Sequence, residues 1–117
     1  MNALKTGLLA LAVSATAALA QEAMQVWTPL GYQQVTPVTS AATLTIPTGT
    51  AGGQSARWAR ICAETNNVRY RDDGTSPTAS VGMVLLKDTC MSYSGSLSAI
   101  QFTPATSPAV LDVSYYR

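Results

Sequence analysis

The chain contains no histidine. That absence removes the commonest general base, the commonest zinc ligand and every Ser-His-Asp or Cys-His triad. Charge is scarce as well, with seven Lys and Arg against six Asp and Glu in 117 residues. Such a balance argues against nucleic acid as a partner, because neutralising phosphates takes a basic footprint. Arg57, Arg60, Arg69 and Arg71 lie close together and read as a solvated strand face. The carboxylates are Glu22, Glu64, Asp72, Asp73, Asp88 and Asp112. Asp72 and Asp73 are neighbours in a turn and are poorly placed to flank a scissile bond. Without a convergent set of titratable groups, the sequence reads as a non-enzyme with no cofactor and no metal. The Gly-rich stretch TGTAGGQS lacks the Lys-Ser/Thr ending of a phosphate-binding loop, so it is assigned no ligand.

Helical periodicity is missing after residue 20. Before it, MNALKTGLLALAVSATAALA has one lysine, an apolar stretch and an A-x-A ending. This is the layout of a secretory signal peptide, and its alternative is a retained N-terminal helix. The apolar run is too short for a stable membrane span. Residues 21–40 carry Trp27, Pro29, Tyr32 and Pro37. The two prolines disfavour a central strand. The segment is expected to be an extended arm with one short edge strand near residues 24–28. Trp27 and Tyr32 anchor it, either on a neighbouring subunit or on its own core.

Residues 41–117 read as a chain of short strands. In residues 41–47 Leu44 and Ile46 face one way, Thr43 and Thr45 the other. In residues 56–64 Ala59, Ile61 and Ala63 share one face; Trp58, Arg60, Cys62 and Glu64 share the opposite one. Thr65-Asn66-Asn67 is a turn, which predicts a hairpin between that strand and residues 68–72. Strands over residues 81–86, 90–93, 98–103 and 109–116 follow, with Ile100, Phe102, Leu111, Val113 and Tyr115 inward. The expectation is an all-β fold: a single β-sandwich of seven to eight short antiparallel strands, jelly-roll-like or immunoglobulin-like, after a helical N-terminal segment.

The central stretch is VRYRDDGTSPTASVGM, residues 68–83. Asp-Gly is a strong turn signal: Gly74 accepts a positive φ and Asp72 caps local N–H groups. Three readings of Arg69, Tyr70, Arg71, Asp72, Asp73 and Gly74 stand side by side. They shape the turn, they dock the hairpin tip on a neighbouring subunit, or Asp72 and Asp73 begin a Ca²⁺ loop, which needs six or more oxygen ligands.

Cys62 and Cys90 are the only cysteines. In an exported protein they pair as a disulfide; in a protein assembled in the cytoplasm they are two buried thiols. Trp27, Trp58, Tyr70 and Tyr93 supply candidate stacking surfaces for sugars.

The block VRYRDDGTSPTASVGM, with GSLSAIQFTPA and the closing LDVSYYR, resembles a family of small β-sandwich proteins of tailed bacteriophages and prophages. Its pattern is R-[YW]-R-D-D-G-T-x-P-T-x-x-x-G-M, then L-S-A-I-[RQ]-F and a C-terminal V-S-Y-Y. The resemblance implies a virion structural protein of minor capsid, decoration or head–tail type. Its partners would be capsid, tail or portal subunits and further copies of itself. The A-x-A ending and the cysteine pair lie outside that pattern. They point to the alternative, a periplasmic or extracellular β-sandwich module that binds glycan or protein.

Overall fold

The computed structural model describes residues 25–48 and 55–117. The helix expected over residues 1–20 and the middle of the Gly-rich loop lie outside the described residues. Eight strands are present: β1 (Pro29–Val35), β2 (Ala42–Thr43), β3 (Trp58–Glu64), β4 (Val68–Arg71), β5 (Met83–Leu85), β6 (Cys90–Tyr93), β7 (Gln101–Pro104) and β8 (Val110–Tyr116). No helix occurs among the described residues. The strands form two four-stranded antiparallel sheets, ordered β1-β8-β3-β6 and β2-β7-β4-β5.

The pairing is mirror-like along the chain. β1 pairs with β8, β2 with β7, β3 with β6 and β4 with β5. Every connection except β4–β5 passes from one sheet to the other. The period-2 alternation explains why the sheets stack. Ala59, Ile61 and Ala63 of β3 are buried, as are Leu111, Val113 and Tyr115 of β8. The other sheet contributes Val68, Leu85 and Phe102 to the same apolar cluster, giving a sandwich-like arrangement. Each large side chain buried there stabilises the fold by about 1.5–3 kcal/mol relative to exposure.

Two expectations need correction. The turn at Thr65-Asn66-Asn67 does not close a hairpin, because β3 and β4 lie in different sheets. Ala63 and Val68 each need cover, and folding the chain over places their buried faces in one core. The asparagines serve neighbouring loops instead. Asn67 Oδ1 accepts from the Lys87 backbone N–H at 2.8 Å, and Asn67 O accepts from that of Ala105 at 2.9 Å.

The expected arm is the second correction. Residues 29–35 are the edge strand β1, in register with β8 from Val35↔Leu111 to Gly31↔Tyr115. Pro29 stands at the first position of the strand and Pro37 lies beyond its end, so neither breaks the ladder. The pairing continues outward through two backbone hydrogen bonds between Thr28 and Arg117, at 2.8 and 3.0 Å. Among the other expected strands, residues 41–47 pair only at Ala42 and Thr43, yet Leu44 is buried and Thr43 and Thr45 exposed.

Candidate functional site

The β4–β5 hairpin is joined by an ordered eleven-residue loop, 72–82, rather than by a tight turn. Its motif residues are committed to holding it. Arg69 donates from Nε to the Ala79 carbonyl and from Nη1 to the Gly82 carbonyl, each at 2.9 Å. Tyr70 is half-buried with its ring 6.3 Å from that of Phe102. Arg71 forms an ion pair with Asp73, its Nε 3.0 Å from Oδ1. This bond to Arg71 holds the Asp73 carboxyl below its ordinary range. Asp73 Oδ1 also accepts from the Thr75 N–H at 3.3 Å. The loop is therefore capped by Asp73, not by Asp72 as expected. Gly74 does take a positive φ, +85°.

Asp72 has a different partner. Its Oδ2 accepts from the Tyr93 hydroxyl at 2.9 Å. Burial, then this bond, pushes Tyr93 up to about 12. Both carboxylates of the Ca²⁺-loop alternative are thus engaged by protein donors. Farther along, Thr78 Oγ1 accepts from the Val81 N–H at 3.0 Å, and the buried Pro77 presents its carbonyl to Thr103 Oγ1 at 3.1 Å. Gly82 has φ +136°, and a Cβ there would lie 3.1 Å from the Tyr70 carbonyl oxygen.

What the hairpin leaves outward is apolar. Val81, Met83, Val84 and Leu86 are 51, 63, 44 and 56 % exposed. β5 is the terminal strand of its sheet, so one side of its backbone has no strand partner among the described residues. A recess of about 380 Å³ joins this edge to the turn, lined by Arg71, Asp72, Asp73, Val81, Gly82 and Met83. The exposed edge was missed in the sequence, although it left a signal. Four successive apolar residues, Met83 to Leu86, cannot all point inward from one strand.

On the outer face of the other sheet, Cys62 and Cys90 stand directly opposite each other on β3 and β6 and form a disulfide. Near one end of this sheet the aromatics converge. Trp58 stacks on Tyr116, its cross-strand partner, with centroids 4.2 Å apart and planes 12° from parallel. Trp27 meets Trp58 edge-on at 5.4 Å and 75°. Trp27, Trp58, Ser92, Tyr93 and Ser94 line an open groove of about 280 Å³. A Cβ at Gly95 would collide with the Tyr93 ring, so glycine lets that ring pack against the backbone. Trp58 Nε1 is buried with no hydrogen-bond acceptor among the described residues. Tyr70 belongs to the opposite sheet and is not among the residues lining the groove.

Tyr32 lies apart from Trp27. From β1 its hydroxyl donates to Asp112 Oδ1 at 2.6 Å, and Gln34 Nε2 donates to the same oxygen at 2.8 Å. The Tyr32 bond leads in holding Asp112 low, whereas a hydrogen bond to Asp112 holds the Glu64 carboxyl high. Among the described residues, no group of three or more Cys, Asp or Glu side chains is placed to hold a metal ion.

No family model matches the chain, and no characterised protein or solved structure matches it.

Proposed function

We propose that this chain is a non-enzymatic virion protein of a tailed phage or prophage, a minor capsid, decoration or head–tail component that works through subunit contacts. The observation that carries the reading is the apolar free edge of β5 beside the Arg71–Asp73 turn. Native sheets ordinarily blunt such an edge with charge, proline or a covering element. Here the edge presents Met83 and Val84, and the adjoining recess gives a partner strand a polar rim for orientation. The wrap supports the same reading. Eight strands paired first with last, inward to β4–β5, follow the jelly-roll order, a form that capsid and lectin domains share. Fold alone does not choose between those roles; the edge favours subunit contact.

The test is particle incorporation. Val84→Lys and Asp73→Ala are expected to leave the isolated chain folded while the amount recovered with particles falls sharply. Unchanged incorporation of both variants would refute contact through this hairpin.

The Cys62–Cys90 disulfide favours a second reading, an exported β module that binds glycan or protein. Intact mass of the native protein separates the two. A chain beginning at Gln21, lighter by two hydrogens and confined to the periplasm, supports export. A full-length chain in the particle pellet supports the virion role.

A further inference from the structure

We infer that the corner formed by Trp27 and Trp58, together with Ser92, Tyr93 and Ser94, is a binding subsite for one neutral pyranose ring of a glycan. The inference takes its ligand class from the binding-module reading, while its geometry holds in either compartment. Two flat rings at 75° make a corner with one stacking wall and one flanking wall. A pyranose has a matching division: its axial C–H bonds make an apolar face, and its equatorial hydroxyls make a polar rim. Indole stacks on the former. Ser92 and Ser94, both exposed, line the groove and supply hydroxyls for the latter.

Three further features narrow the ligand. Among the described residues, none of the lining side chains is charged, which suits a neutral ring. The volume, about 280 Å³, falls near the lower bound for small-molecule sites, so it fits one sugar unit rather than a chain. The groove is also open, letting the rest of a glycan continue into solvent. The site is held ready by its surroundings. Tyr116 fixes the Trp58 plane by stacking, and the Thr28–Arg117 backbone pair fixes the residue beside Trp27. A pre-positioned aromatic wall spares the cost of ordering it on binding.

The experiment uses the full chain with its disulfide intact, titrated with cellohexaose and chitohexaose. Adenosine serves as a flat aromatic competitor and hexaethylene glycol as a non-sugar control. Tryptophan fluorescence and saturation transfer between sugar C–H and indole protons are the readouts. Saturable binding of at least one hexasaccharide, with transfer to the indoles, is expected. Trp27→Ala should weaken it about tenfold or more, and Ser94→Arg, which fills the groove while keeping both indoles, should do the same. Tyr32→Phe, on β1, should bind like the parent. The inference is overturned if neither hexasaccharide saturates, if adenosine binds more tightly than both, or if folded Trp27→Ala and Ser94→Arg chains retain parental affinity. An exported, disulfide-bonded chain that binds neither sugar would overturn this subsite alone and leave the export reading standing.

Discussion

Tyr93, on the edge strand of one sheet, donates its hydroxyl to Asp72, in the hairpin loop of the other, at 2.9 Å. A single side chain thereby ties the end of β6 to the loop beside the exposed β5 edge, and a change at Tyr93 reaches both sheets.

Tyr93→Phe removes the bond and keeps the ring. It should lower stability by about 1 kcal/mol at neutral pH, as loss of a solvent-accessible hydrogen bond does. The alkaline limb carries the sign. Tyr93 and Tyr115 are both raised to about 12 in the folded chain, the latter by burial. An unfolded tyrosine titrates near ~10. A raised folded value means stability that is complete below the unfolded value and lost as pH climbs through the folded one. Thermal melts should therefore fall steeply from pH ~10 to ~12. The fall should be shallower in Tyr93→Phe; an identical alkaline limb in parent and variant would contradict this account.

Gly74 and Gly82 both have positive φ, but only one is crowded. A Cβ at Gly74 meets nothing within 4 Å, whereas at Gly82 it lies 3.1 Å from the Tyr70 carbonyl and 3.2 Å from Pro77. Gly74→Ala should cost about 1–2 kcal/mol, the left-handed backbone penalty alone. Gly82→Ala adds a clash with backbone and should cost clearly more. Urea unfolding of the two variants side by side checks the order, and equal costs would be inconsistent with the close approach.

The Glu64–Asp112 pair gives an acid-side prediction. Glu64 is raised, so its contribution is present below its unfolded value and lost as pH rises through the folded one. At neutral pH, then, its ionisation opposes folding. Glu64→Gln keeps a donor for Asp112 without the second charge. The melting temperature should rise at pH ~7 and match the parent at pH ~3, below the ordinary Glu value. Asp112→Asn should behave differently, because it weakens the acceptor used by Tyr32 and Gln34.

Reducing Cys62–Cys90 frees a loop with a sequence separation of 28. On chain-entropy grounds the loss is about 3–4 kcal/mol. Urea midpoints with and without reductant should differ accordingly, and Cys62→Ala/Cys90→Ala should match the reduced parent and ignore reductant.

The faces of the strands were legible in the sequence, because alternation with a period of two is a local property. Ala59, Ile61 and Ala63 inward and Trp58, Arg60 and Cys62 outward follow from it directly. Which strands pair was not legible. Thr65-Asn66-Asn67 has the chemistry of a hairpin turn, yet β3 finds β8 and β6 far along the chain. Pro29 and Pro37 read as breakers of the segment between them, while in the fold they bracket β1. Asp72 and Asp73 are chemically equivalent as turn caps; only their separate partners, Tyr93 and Arg71, divide the roles. The aromatic corner was half visible. Trp27, Trp58 and Tyr93 are candidates by type, but so is Tyr70, which belongs to the opposite sheet.

The mirror-like pairing of strands also sets a timetable for synthesis. The β4–β5 hairpin has both partners within a short stretch and can close early. β8, however, lies between β1 and β3, so it is the bridge through which β1 joins its sheet. While Val110–Tyr116 is still inside the ribosome, β1 has no ladder to join, and the buried faces of β3 and Phe102 lack part of their cover. A nascent chain of this kind keeps apolar strand faces uncovered until its most distant partner emerges, and that interval is the one most exposed to aggregation.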